Sequence, residues 1–329
     1  MIDKAYLATN ENIWSGRNDG EDYDLQRWHQ RIDVIDLSTS EIPPLAENQK
    51  GIALIGFMCQ EGVKRNKGRL GAIDGPYELR KACANLPVHF SKELKLVDLG
   101  NIQCLNEDLE QAQINLGQLI TKALLSGYQP FVWGGGHEIA YAHYLGIRDF
   151  MDQKHPGKTL GIVNIDAHFD LREPNPLPSS GTPFYQIAQD QKERGEDFNY
   201  LVIGIQKNSN TKRLYNIADE LGARYISGRR LTEADKVGTT HKLVGFMDKV
   251  DFIYQTTCLD VFAAHYAPGV SASAFNGISP NPTFMKLFKK IHKSGKVISS
   301  DIAELNPTYD IDRRTAKLAA ALSFEIVKD

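Results

Sequence analysis

The sequence predicts an α/β fold in three layers, a mainly parallel central sheet with helices on both faces. Three observations carry that prediction. Short apolar runs recur along the chain, most of them are separated by amphipathic stretches, and the runs are continuously apolar rather than alternating. A strand covered on both faces has no solvent side to keep polar, and parallel neighbours need long connections of the kind a helix provides.

The strands are expected at 51–58, 95–99, 131–133, 160–165, 200–205, 252–259 and 296–302, each too short to stand as an independent helix. Between them, 107–125 sets Leu109, Ile114, Leu116, Leu119, Ile120 and Leu124 at helical spacing, and 283–292 reads as a second helix near the C-terminus. No internal repeat, low-complexity stretch or Gly/Ser linker divides the chain, so residues 1–329 are read as one domain. Residues 1–49 have the weakest periodicity and are expected to pack on that domain as an irregular arm. The segment 172–183 holds four prolines after Glu173 and a Ser-Ser-Gly turn, which suits a binding loop rather than regular structure.

Composition narrows the function. A chain of 329 residues with 42% hydrophobic residues can bury a large core, and a formal charge of -3 supplies no basic field for nucleic acid or anionic membrane. No apolar run of about 18 residues occurs, and the N-terminus lacks the basic leader and apolar stretch of a signal peptide. A cytoplasmic protein acting on a small molecule is expected, and a homo-oligomer is compatible with the sequence. Cys59, Cys83, Cys104 and Cys258 are scattered without zinc-finger spacing, so no disulfide framework or structural zinc is indicated.

The chemistry gathers where apolar runs end. Asp166-Ala167-His168-Phe169-Asp170 closes one run and places three metal-ligand types at alternate positions, at the carboxyl end of a strand where such sheets bind ligands. Two carboxylates with an imidazole suit Mn²⁺ or a related divalent ion, although a solvated acidic turn would read the same way. Gly134-Gly135-Gly136-His137-Glu138 follows another run and lacks the GKS/T ending of a P-loop. Asp260 ends a third strand ahead of Ala267-Pro268-Gly269, and Asp301-Ile302-Ala303-Glu304-Leu305-Asn306-Pro307 ends a fourth. An isolated Asp in such a place is more commonly a cap or turn former.

Together these segments, with Gly68 to Arg80 (GRLGAIDGPYELR), occur in the order found in the arginase (ureohydrolase) superfamily, which the chain resembles from about residue 51 onward. The resemblance implies a metal-dependent hydrolase with two Mn²⁺ per subunit. His137, Asp166 and Asp170 would hold one ion and Asp166, His168 and Asp260 the other. It also implies that Asp170 orients the attacking water and that Glu304 pairs with the cationic nitrogen of the substrate. One position departs from the family's D-x-D pattern, because Cys258 stands where the first Asp belongs. A soft thiolate disfavours Mn²⁺ relative to softer ions, so one or both metals are expected to be weakly held and the thiol to be open to oxidation or alkylation, unless Cys258 is an inert strand thiol.

Within the family, Ser180 in Ser180-Gly181-Thr182-Pro183-Phe184 replaces the His of agmatinase-like members. Arg172 and the early Trp14-Ser15-Gly16-Arg17 likewise resemble the formimidoylglutamase branch. That branch implies hydrolysis of N-formimidoyl-L-glutamate, in histidine degradation. Arg172 offers a planar fork for a substrate carboxylate, and Gln206 and Asn208, just after a strand, are weaker candidates for polar contacts or are simply turn residues. The competing readings are a guanidino hydrolase, which would release urea, and a metal-impaired homologue that kept the fold without the activity.

Overall fold

The structure, a computed structural model, describes residues 4–328; residues 1–3 and 329 of the expected domain lie outside the described residues. Its strands, in chain order, are β1 (Tyr6–Leu7), β2 (Ile32–Val34), β3 (Gly51–Met58), β4 (Lys95–Gln103), β5 (Gln129–Gly134), β6 (Leu160–Ile165), β7 (Asn199–Ile205), β8 (Arg224–Ser227), β9 (Phe252–Cys258) and β10 (Val297–Ala303). The helices are α1 (Glu61–Arg65), α2 (Gly75–Cys83), α3 (Leu109–Leu125), α4 (Ile139–Lys154), α5 (Pro183–Glu193), α6 (Lys212–Glu220), α7 (Lys236–Met247), α8 (Pro282–His292) and α9 (Arg314–Val327). Among the described residues no helix is long and apolar enough to cross a membrane.

All strands join one sheet in the order β1-β4-β3-β5-β10-β9-β6-β7-β8, with β2 also paired to β4. Every pairing is parallel except that of β1 with β4. The two-residue pleat divides each central strand between two cores. Ile52 and Leu54 of β3, Phe131 and Trp133 of β5 and Val163 and Ile165 of β6 pack on the side of α2, α7, α8 and α9. Their neighbours Ala53, Ile55, Val132 and Ile162 pack on the side of α3, α4, α5 and α6. Each fully buried large apolar side chain contributes about 1.5–3 kcal/mol, and these strands bury such side chains on both faces, which accounts for their unbroken apolar runs.

The N-terminal segment is mostly turns and short 3-10 helices, but it also lends β1 and β2 to the sheet, which its weak periodicity did not predict. Strands of two and three residues are too short to show a period. The segment is fastened at a buried ion pair, in which Arg80 grips Asp98 through Nε at 2.7 Å and Nη2 at 2.8 Å. The same carboxylate accepts Trp14 Nε1–H at 2.8 Å and Thr9 Oγ1–H at 3.0 Å.

The strand order places the site. β5 and β6 follow one another along the chain, yet β10 and β9 lie between them. The connections leaving β5 and β6 therefore diverge, and a crevice opens beyond the carboxyl ends of four adjacent strands.

Candidate active site

His137 follows β5, Asp166, His168 and Asp170 follow β6, Cys258 and Asp260 close β9, and Glu304 follows β10. The Gly134-Gly135-Gly136 turn lies directly on the neighbouring strand: a Cβ at Gly135 would stand 1.7 Å from the Cys59 carbonyl oxygen, so only glycine lets the backbone pass and deliver His137. Gly136 N–H donates to that same Cys59 carbonyl at 3.0 Å. Asp170 (φ 48°) and Glu304 (φ 75°) both hold left-handed backbone, which non-glycine residues keep only where their surroundings enforce it.

The side chains converge. His137 Nδ1 lies 3.0 Å from Asp166 Oδ2 and 2.9 Å from Asp170 Oδ2. His168 Nδ1 lies 3.2 Å from Asp260 Oδ2 and 3.4 Å from Asp166 Oδ1. The ligand-type atoms of His137, Asp166 and Cys258 all fall within 4.8 Å of one another, as do those of Asp166, His168 and Asp260, so Asp166 belongs to both groups. Glu304 is buried beside them, accepting His137 N–H at Oε1 (2.9 Å) and Ser271 N–H at Oε2 (3.3 Å).

Electrostatics here are those of crowded acids out of water. Burial, reinforced by the Asp166 charge, lifts Asp170 to about 6, and burial with the charges of Asp260 and Glu138 lifts Glu304 to about 8. Burial opposes charge on the two imidazoles, but the carboxylates outweigh it and both pKa values stand well above the ordinary histidine range. Burial likewise resists ionisation of Asp166, yet His137 and His168 hold its carboxyl well below the usual range. Among the described residues no lysine or arginine pairs with these acids, and Asp260 Oδ1 is buried without a hydrogen-bond partner. A cluster of carboxylates and imidazoles with no lysine or arginine among them is a donor set that fits a divalent ion.

Cys258 is 1% exposed, and burial followed by the charges of Asp166 and Asp260 pushes its thiol well above the ordinary value. A thiol held protonated in this way ionises less readily, which opposes the oxidation or alkylation expected of Cys258, although its side chain lines the cavity of the site.

His137, His168, Asp170, Arg172, Ser180, Cys258, Asp260 and Glu304 line one cavity of about 250 Å³, together with Asn66, Lys67, Ser209 and Asn210. Gln206 and Asn208 do not line it. Gln206 is buried beneath the turn, with its N–H on the Ala167 carbonyl, while Asn208 is exposed; the turn presents Ser209 and Asn210 instead. A larger hollow of about 880 Å³ opens at the opposite end of the sheet, beside Gly51, Leu94 and Gln129, and holds none of the ligand-type residues above. The mouth of the smaller cavity carries two exposed cations, Arg172 and Lys67, whose side chains make no ion pair among the described residues. Arg172 lies along Gly181, where a Cβ would meet its Cδ at 3.0 Å.

The arginase family's sequence profile matches residues 50–328. The chain belongs to the arginase family. Among its relatives this arginase-family chain is 42% identical to the formimidoylglutamase of Clostridium tetani, over 99% of the chain and 97% of that protein. Two solved structures share the arginase-family fold. The formimidoylglutamase of Bacillus subtilis matches with a TM-score of 0.78 at 24% identity, covering 94% of this chain and 93% of that one. The formiminoglutamase of Trypanosoma cruzi, solved with Mn²⁺, matches at 0.73 and 26% identity, covering 86% and 95%.

Sequence reasoning missed Asn66 and Lys67. They follow α1, a helix of five residues too short to announce itself, and Lys67 (φ 62°) sits in the left-handed turn that ends it. The signal available was Asn66-Lys67 running into Gly68, a turn-forming run that opens the GRLGA segment.

Proposed function

We propose that this chain is a formimidoylglutamase, which hydrolyses N-formimidoyl-L-glutamate to L-glutamate and formamide. The observation that carries the reading is the polarity of one cavity, with an acidic floor below and two unpaired cations at its mouth. The substrate has the complementary polarity, an amidinium at one end and two carboxylates at the other. Relatives bearing that name over nearly the whole chain support it.

Two Mn²⁺ ions would be held by the two groups that share Asp166, one by His137, Asp166 and either Asp170 or Cys258, the other by Asp166, His168 and Asp260. When bound they supply Lewis-acid charge that makes hydroxide available near neutral pH. Asp170, partly open to the cavity, accepts a hydrogen bond from the attacking water and orients it. Glu304, fixed by two backbone N–H groups, faces the amidine. Burial and neighbouring acids lift its carboxyl to about 8, an effect that bound cations and the amidinium offset, so that it ionises and stabilises the positive charge. The water oxygen adds to the formimidoyl carbon, the bond from that carbon to the glutamate nitrogen breaks, and the nitrogen leaves as the amine after taking up a proton. Arg172 and Lys67 hold the two carboxylates. Ser180 replaces an imidazole with a small hydroxyl, held by Asn66 Nδ2 at 3.2 Å, and leaves room beside Arg172.

The test is release of formamide from N-formimidoyl-L-glutamate by protein incubated with Mn²⁺, run beside agmatine and arginine. Urea from either guanidino compound, with no formamide from the first, would replace this reading by a guanidino hydrolase.

A further inference from the structure

A hydrogen-bonded chain leads from the site into the core, through residues that do not touch the cavity. His137 Nε2 lies 3.1 Å from Thr256 Oγ1, and the Thr256 hydroxyl donates to Asp301 Oδ1 at 2.6 Å. The other oxygen of Asp301 receives the Tyr254 hydroxyl and, at 2.8 Å, His143 Nδ1. Thr256, Asp301, Tyr254 and His143 are all fully buried, and they come from β9, β10 and α4.

The direction of these bonds follows from proton counting. A hydroxyl has one proton, and an ionised carboxylate only accepts. Thr256 commits its proton to Asp301, so it can only accept from His137. Nε2 of His137 therefore carries the N–H, and in the neutral ring the lone pair is left on Nδ1, the nitrogen that faces Asp166 and Asp170. We propose that Thr256, oriented by Asp301, is a positioning residue that fixes the ring and tautomer of His137 so that Nδ1 is presented to a divalent cation. Asp301 is suited to orient the hydroxyl because Tyr254 of β9 and His143 of α4 already hold its other oxygen. A carboxylate acting on a histidine ligand through an interposed hydroxyl serves the same end as one bonded to it directly.

The inference rests on the metal reading above, and the experiment separates the two. Mn²⁺ binding is measured by calorimetry on native protein, Thr256→Val, which keeps the shape and removes the hydroxyl, and Thr256→Ser, which keeps the hydroxyl. Histidine ¹⁵N spectra are recorded on the Zn²⁺-loaded native protein. We expect Thr256→Val to lose about 10- to 100-fold in Mn²⁺ affinity, Thr256→Ser to stay near native, and the native spectrum to show a proton on His137 Nε2. Native affinity in Thr256→Val, an equal loss in Thr256→Ser, or a His137 ring protonated at Nδ1 in the native spectrum overturns the proposal. Should Thr256→Val fail to fold, the native spectrum decides alone. A native protein that binds neither ion overturns the metal reading and this inference with it.

Discussion

Glu304 Oε1 accepts the backbone N–H of His137 at 2.9 Å, joining two segments 167 residues apart. The Glu304 N–H in turn donates to the Gly135 carbonyl at 2.7 Å. The turn after β5 and the end of β10 are thus one mechanical unit, and the charge of Glu304 separates from its structural role. Glu304→Gln keeps an oxygen for the His137 N–H and removes the negative charge. It should lower kcat about 100-fold or more while leaving metal content unchanged. Loss of bound metal in this variant, measured by elemental analysis, would show that Glu304 serves the cation rather than the substrate.

Arg172→Ala should raise KM for the dicarboxylate substrate about 10- to 100-fold, the scale of a charge-assisted pair of hydrogen bonds, with kcat changed little. Steady-state kinetics check this; an unchanged KM removes Arg172 from the substrate site.

Lys67 separates function from fold. Its left-handed backbone ends α1, with Lys67 N–H on the Lys64 carbonyl at 3.0 Å, a position glycine occupies more comfortably. Lys67→Gly should therefore leave stability unchanged or raise it by no more than about 1 kcal/mol, while KM rises. Urea denaturation and kinetics on the same sample test both halves, and a destabilised variant with native KM would make Lys67 structural.

Cys258→Asp restores a hard carboxylate beside His137 and Asp166. It should tighten Mn²⁺ binding at neutral pH about tenfold or more and raise activity at limiting metal, because an ionised carboxylate needs no proton loss and matches Mn²⁺ better than sulfur. Equal affinity and stoichiometry for the two proteins in a Mn²⁺ titration would make Cys258 a bystander.

His292 gives a pH effect remote from the site. Its ring packs on Phe288 with centroids 4.9 Å apart, its Nε2 is buried without a partner, and burial lowers its pKa from 6.5 to about 3. The folded-state value is the depressed one, so the unfolded chain binds the proton first. The neutral ring's contribution is complete above about pH 6.5 and is lost as pH falls toward about 3. Native protein should lose more stability than His292→Phe between about pH 7 and about pH 5. Parallel denaturation curves at the two pH values check it; identical losses would mean that His292 does not titrate with folding.

How much of this was legible depended on burial. The bounds of β3 and β6 are those read from sequence, because strands covered on both faces end where their apolar runs end. β1, β2 and β8 escaped, since strands of two to four residues near the sheet's margins carry no period. His137, Asp166, Asp260 and Glu304 stood out because each follows an apolar run at the carboxyl end of a strand. Gln206 and Asn208 were chosen by the same rule, but the phase of the turn decides which residues reach the cavity, and composition does not encode phase. Thr256 is a β-branched residue inside a strand, where its type alone announces nothing beyond strand.

The interleaving of β9 and β10 between β5 and β6 also has a consequence for synthesis. While the ribosome has released only the chain through α7, the sheet can exist merely as two halves, and β5 and β6 each present a bare edge toward the missing pair. His137 and Asp166 have been made by then, whereas Asp260 and Glu304 have not, so no assembled centre exists until residue 304 has emerged. A stalled or truncated product is thus less a feeble enzyme than a chain with two open edges, ready to pair with other nascent chains before its own late strands arrive.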